Sequence, residues 1–370
     1  MFTVKSMKLI ILFTSCFLFM TACFPSGSQN LSAEDDEKIA QDISDIVSEN
    51  EHLSVDAELS DVPADVPTIN VSVMEWDEDK LHELFLTERD YLEHYEPPSD
   101  YFSDSSYDVY MDEEKENPEA YWLVYEAGRI TSEVREKFTE YGYGTLATAL
   151  GSKDFGGYYT ADSIGLFSKS DAINRADALL TELGIESRGE PQIFAITADK
   201  ANTYFLQYNE GEYKEWTADD EIYVLSYPLE YEGINVTMNS SADLNAGGHG
   251  SYFVGTRIDL IVTKDEIISL RGSNLFSSEY EAGENIKINC TSQNALKIAA
   301  EYYDGIILED SDIKITNCEL VYVPYEQIDE KHFTLIPMWK IDTVMDSKDS
   351  SLNSCFYLFI DAQTGNRIVW

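Results

Sequence analysis

Ile313-Lys314-Ile315-Thr316-Asn317-Cys318-Glu319-Leu320-Val321-Tyr322-Val323-Pro324-Tyr325 is the stretch whose reading decides the fold. It is dense in β-branched and aromatic residues, which suit a pleated, half-buried surface, and it is long for a strand. Two more strand-like runs, Phe333 to Val344 and Ser354 to Ile360, follow it directly. Strands that succeed one another through short connections favour antiparallel sheet, whereas a parallel sheet needs a helix between neighbours. Just ahead, Ser292 to Tyr303 has helical spacing, with Ser292 as its cap and Ala295 and Ala299 four residues apart. Small residues at that spacing let a helix lie close on a sheet.

Working outward, strand patterns continue upstream at Glu221 to Thr237 and Tyr252 to Thr263, and a second helical pattern runs from Lys169 to Leu183. There Ser170 and Asp171 open a helix carrying Ala172 and Ala176, which leads through Leu183-Gly184-Ile185 into a strand at Gln192 to Ile196. The later helix leads in the same way through Gly305-Ile306-Ile307 into the strand at Ile313 to Val323. The expectation is therefore an α+β fold of antiparallel sheets with helices packed on one face. The parallel between the two helix-to-strand passages reads either as two related helix-sheet modules or as a chance likeness of alanine-bearing helices.

The N-terminal part is less regular. Ile69 to Trp76 alternates as a strand, and Leu81, Leu84 and Phe85 mark a helix behind it. Residues 96–118 are acidic, tyrosine-rich and aperiodic, and read as a flexible surface loop. Ser32 with Asp35 three residues on resembles a helix start, and Ile39, Ile43, Ile46 and Val47 give an acidic helix one narrow apolar stripe, which either docks on the body or frays. His52 to Thr68, with Pro63 and Pro67, reads as a linker. The expected organisation is 1–22 as a leader, 23–68 as anchor, acidic helix and linker, 69–220 as an N-terminal α+β region, and 221–370 as a C-terminal α+β domain.

The leader has Lys5 and Lys8 ahead of an apolar run from Leu9 to Met20, the basic-then-hydrophobic plan of a secretory signal. The run falls short of the roughly 20 apolar residues of a membrane helix. It ends in Met20-Thr21-Ala22-Cys23, which resembles the bacterial lipobox. That resemblance implies cleavage before Cys23, acylation of its sulfur, and residence on the outer face of a cytoplasmic membrane. The alternatives are a cleaved signal with an incidental cysteine or an uncleaved anchor helix. Met7 followed by Lys8 would serve equally well as a start. After Cys16 leaves with the signal, Cys290, Cys318 and Cys355 remain as thiols. No CxxC or Cys/His cluster supports a metal or a thioredoxin-type motif. Cys318 and Cys355 are the candidate pair, against a reading in which all three thiols stay unpaired.

With 69 acidic and 25 basic residues and a net charge of −44, the chain is a poor partner for nucleic acid, whose phosphates need clustered Lys and Arg. Acidic runs such as Asp112-Glu113-Glu114 lack the alternating ligands and central glycine of an EF-hand loop. No cofactor or metal is expected.

The order of motifs in the last 80 or so residues carries a family resemblance. The alanine helix from Ser292, the strand ending Leu320-Val321-Tyr322-Val323-Pro324, the restart at Ile336-Pro337-Met338-Trp339, and the turn Asp361-Ala362-Gln363-Thr364-Gly365 before Arg367-Ile368 resemble PepSY-like modules. They are also similar to the C-terminal half of the YycH/YycI-type extracytoplasmic regulators of a Gram-positive sensor kinase. Those regulators are helix-anchored, unlike the leader here. The resemblance implies protein interaction or inhibition and carries over no catalytic residue.

Enzyme signatures are missing: there is no G-x-S-x-G elbow, Walker A loop, H-E-x-x-H or S-x-x-K set. His52, His82, His94, His249 and His332 share no ligand spacing, and His249 within Gly247-Gly248-His249-Gly250-Ser251 reads as a hairpin tip. Tyr107, Tyr110, Tyr121, Trp122 and Tyr125 form either a strand face turned to the core or an anchor for a partner. The expected function is a non-enzymatic envelope protein, lipid-anchored through Cys23, that contacts another extracytoplasmic protein. A solute-binding lipoprotein is the alternative, followed by a wall-directed hydrolase.

Overall fold

A computed structural model describes residues 33–59, 62–86, 93–95, 109–111, 120–134, 141–143, 145–146, 160–208, 214–239, 255–305, 311–329, 331–347 and 354–367. The leader, Cys23, the tether after it, His249 and nearly all of the acidic stretch 96–118 lie outside these residues.

Three long strands close the chain as an antiparallel meander: β14 (Ser311–Gln327), β15 (His332–Ser347) and β16 (Ser354–Asp361). Alternation decides which side chains go where. Ile313, Ile315, Cys318, Leu320 and Tyr322 of β14 and Trp339 and Ile341 of β15 join the main core. Glu319, Val321 and Val323 point the other way, and Val321 and Val323 cluster with Met338 and Phe359. An irregularity between Ile315 and Asn317 keeps the apolar set on one face along the whole strand.

The linker reading of residues 52–68 is overturned. Leu53–Leu59 is a strand, β1, paired in parallel with β14 from Leu53 opposite Ile313 to Leu59 opposite Cys318. Asp65–Val73 is β2, which pairs antiparallel with β15 (Ile69 opposite Leu335) and with β13 (Phe276–Lys287). The strand order is β1-β14-β15-β2-β13, with β16 on the other stretch of the β15 edge. Pro67 pairs opposite Asn285 of β13, beyond the residues 69–72 that β15 reaches, so its missing N–H removes no bond from the β15 ladder.

Helix α5 (Ser292–Asp304) packs across this sheet with Ala295, Ala299 and Ala300 fully buried. Its cap is Thr291 rather than Ser292, the Thr291 side chain accepting from the Asn294 backbone N–H. The acidic helix α1 (Ala33–Glu49) docks on α5. Ile43 is buried, and Lys297 reaches Asp42 at 2.8 Å. Helix α2 (Glu78–Leu86) follows β2 with Leu81 and Leu86 buried.

The second sheet has eight antiparallel strands. They are β3 (Glu93–Tyr95), β4 (Val109–Met111), β5 (Ala120–Glu126), β6 (Arg129–Val134), β12 (Ile267–Ser273), β11 (Arg257–Val262), β8 (Ile222–Tyr227) and β7 (Gln192–Ile196), in that spatial order. Every residue of β8 is buried, because both faces of the sheet are covered there. Tyr223 and Leu225 share a core with Ala172, Ala176 and Leu180 of α3 (Lys169–Glu182). Ile222 and Val224 pack with Ala201 and Phe205 of α4 (Ala198–Tyr208). Helices thus lie on opposite faces of this sheet. Helix α3 starts at a Ser168/Asp171 capping box, two residues before the expected Ser170.

Both alanine helices do precede a strand of an antiparallel pair, β7 with β8 and β14 with β15. The correspondence is local, since β7 is an edge strand and β14 lies between two neighbours. Each sheet draws strands from both sides of residue 220, so the sheets are not divided at the boundary the sequence suggested.

Two joints hold the sheets together. At one, the backbone N–H groups of Met74, Gly128 and Leu275 donate in turn to the carbonyls of Leu275 (2.9 Å), Met74 (2.7 Å) and Gly128 (2.8 Å). Gly128 has φ +71°, and a Cβ there would meet Val73 Cγ1 at 2.8 Å, so only glycine fits. At the other, the hairpin β9 (Glu230–Tyr231) and β10 (Ile234–Asn235) ends in a parallel bridge from Val236 to Tyr322. Side chains from both sheets merge into one main core. Among the described residues no helix is long and apolar enough to cross a membrane.

Candidate functional site: a polar cavity at the seam of the two sheets

The face of β14, β15 and β16 turned away from α5 carries Glu319, Lys340, Asp342 and Tyr357. Register brings them together: Glu319 lies opposite Lys340, and Asp342 opposite Tyr357. Lys340 is only 8% exposed, an unusual depth for an ammonium. Its Nζ lies 2.7 Å from Glu319 Oε1 and 3.0 Å from Asp342 Oδ1, and it stands over the Tyr357 ring at 5.4 Å. Burial by itself would depress the Lys340 pKa. The carboxylates of Asp342 and Glu319 outweigh that loss of hydration and hold it above the usual lysine range. The irregularity in β14 supports the arrangement from the side, because Asn317 Nδ2 donates to Asp342 Oδ2 at 3.2 Å and Thr316 Oγ1 donates to the Asp342 carbonyl.

Facing this surface are the ends of β7, β8 and β11, which contribute Gln192, Phe194, Ser226 and Arg257, with Glu190 at the rim. Arg257 donates from Nε to Asp259 at 2.7 Å, and Ser226 Oγ donates to Asp259 Oδ1 at 2.5 Å. The chain leaving β10, from Val236 to Asn239, walls one end. The cavity, open to solvent on one side, holds about 350 Å³, within the size range of small-ligand sites. The arrangement presents charged groups of both signs around a partly dehydrated space.

The residues singled out in the sequence are scattered. His52 pairs with Asp312 at 2.8 Å, His332 with Asp329 at 2.8 Å, and His82 lies 3.9 Å from Glu78, each on a different element. Among the described residues no group of three His, Cys, Asp or Glu side chains could hold a metal. The Cys318–Cys355 pairing fails. These residues sit on β14 and β16 on either side of β15, opposite Ile341 and Val344, and so are two strand spacings apart, beyond disulfide reach. Cys318 instead lies beside the start of α5, 3.7 Å from the Ser292 carbonyl, near Cys290, and both are buried free thiols. Leu123 is fully buried in β5 and Tyr125 packs on the core, which fits the core alternative for that strand. Tyr107 and Cys23 lie outside the described residues, as do the side chains of Tyr110, Tyr121 and Trp122.

Sequence reasoning passed over the cavity residues. The available signal was the Lys340, Asp342 pair, two charges at alternate positions in a run from Ile336 to Val344 whose other residues, Thr343 apart, are apolar.

The molecule is an α+β protein of two large sheets, one mixed and one antiparallel, with a polar cavity where they meet. No protein-family model matches the chain, and no curated protein matches its sequence. Among solved structures it is similar to an uncharacterized protein from Eubacterium rectale, at 15% identity and a TM-score of 0.64, over 87% of this chain and 92% of that one. At that identity the likeness shows a shared fold.

Proposed function

We propose that the chain is a lipid-anchored lipoprotein on the extracytoplasmic face of a bacterial membrane, non-enzymatic, whose body engages and regulates another envelope protein in the manner of a PepSY-like module. The observation that carries this reading is Met20-Thr21-Ala22-Cys23 at the end of a short apolar run led by Lys5 and Lys8. A single acyl chain anchors only marginally, and two or more on one cysteine hold stably, each buried methylene contributing roughly 0.8 kcal/mol. Expression in a bacterium fed an alkyne fatty acid tests it. The wild type labels and fractionates with membranes, and Cys23→Ala loses both properties; equal labelling of the mutant refutes the anchor. In vivo photo-crosslinking from the exposed β13 positions Glu279 and Glu281 should trap a discrete envelope protein.

The cavity favours a second reading, a solute-binding lipoprotein. Its support is the 350 Å³ space lined by Lys340 and Arg257 at the seam.

A further inference from the structure

We infer that the seam cavity is a binding site for a small zwitterion, a free amino acid or dipeptide, with its carboxylate between Lys340 and Arg257 and its ammonium toward the Glu190 rim. This deepens the solute-binding reading and rests on it. Charge selects the ligand class. The lining holds three carboxylates (Glu190, Glu319, Asp342) and two cations (Lys340, Arg257), so a dianion meets the first set and a dication the second. A molecule carrying one charge of each sign can satisfy both. Lysine has three N–H donors; Glu319 accepts from one at 2.7 Å and Asp342 stands beside the ammonium as an ion pair at 3.0 Å, so donor capacity remains for an incoming carboxylate. Arg257 approaches from the opposite wall with its Nε committed to Asp259, which orients the guanidinium plane.

The groups are also held in advance. Lys340 is fixed by two carboxylates that are themselves held by β14, and Asp259 is fixed by Ser226 as well as by Arg257. Little side-chain freedom remains to be lost when a ligand arrives. Phe194 and Tyr357 supply apolar surface beside the charges, where a short aliphatic side chain fits.

Calorimetry on the full-length protein in detergent, with the proteinogenic amino acids and alanyl-alanine as probes, tests the inference. The control is the same dipeptide with both ends blocked as N-acetyl and N-methylamide. A zwitterionic probe should bind and raise the melting temperature, and the blocked dipeptide should do neither. Arg257→Gln should weaken binding by about ten- to hundredfold, the effect of one hydrogen bond to a charged group. It should leave the ligand-free protein folded, since Asp259 keeps Ser226. Gln192→Trp, which places bulk at the cavity wall, should abolish binding. Equal binding of the blocked dipeptide, or indifference to Arg257→Gln, overturns the zwitterion. Binding of neutral sugars in place of the probes overturns it too while sparing the solute-binding reading, and failure of every probe and sugar overturns both.

Discussion

The hydroxyl of Tyr322 in β14 donates a hydrogen bond of 2.7 Å to the backbone carbonyl of Pro67 in β2, across 255 residues of sequence. Tyr322 is fully buried, so this bond stitches the two ends of the chain inside the core. Tyr322→Phe keeps the ring and strands the carbonyl, which should cost about 1–3 kcal/mol. Urea denaturation should show a lower midpoint with an unchanged slope. An unchanged midpoint would mean that another donor reaches Pro67.

Ala299→Arg should be severe. Ala299 is completely buried where α5 lies on the sheet, and an unpaired charge forced into that contact costs several kcal/mol. Asp361→Ala should be milder. Asp361 Oδ1 accepts from the Gln363 and Thr364 N–H groups at 2.9 and 2.6 Å and from Thr364 Oγ1 at 2.9 Å, but the turn is solvent-exposed, and losing it should cost about 1–2 kcal/mol. Thermal melts of the two variants give the order; the reverse order would make Asp361 a functional carboxylate.

Lys340→Met should destabilise by about 3–5 kcal/mol, because Glu319 and Asp342 would lose their counter-ion in a partly dehydrated space. Adding Glu319→Gln and Asp342→Asn should recover much of the loss. A triple variant no more stable than Lys340→Met would place the damage in packing rather than charge.

How much of this was legible follows from what each segment buries. β14 to β16 alternate cleanly because one face is core, and α5 shows its alanines at helical spacing. β13 was missed because its residues from Glu279 to Asn285 are exposed, so Ser277-Ser278-Glu279-Tyr280-Glu281-Ala282-Gly283 carries no apolar period. β1 has the period, in Leu53, Val55, Ala57 and Leu59, but Pro63 and Pro67 beside it argue for a linker unless the pairing register is known. The cavity was invisible for a different reason. Its walls come from strands spread over the chain from Gln192 to Tyr357, and charges look alike in sequence whether solvated or facing one another across a seam.

Stability should fall at alkaline pH. Burial, with the nearby Asp361 carboxylate, pushes the Cys290 thiol from its ordinary 9.0 to about 11, and burial likewise raises Cys318, Tyr143, Tyr231 and Tyr322. A group whose pKa is raised on folding contributes stability that is complete below its unfolded pKa and is lost as pH climbs through the folded one. For Cys290 the loss runs between about pH 9 and 11. Denaturation at pH 8 and pH 10.5 should show a clear drop, smaller in Cys290→Ala; a flat profile would mean that these groups ionise freely in the native state.

The six-stranded sheet also sets a clock. β1 and β2 are made early, yet their partners β14 and β15 come some 255 residues later, which at synthesis speeds of about 5–20 residues per second is a wait of roughly 10–50 s. Until β13 is made Ile69 and Val71 have no partner strand, Leu53 waits longer still for β14, and closure waits on loop entropy as well as on synthesis. The six-stranded sheet therefore closes only once β14 and β15 exist, and any machinery that handles the chain before then meets an open thread.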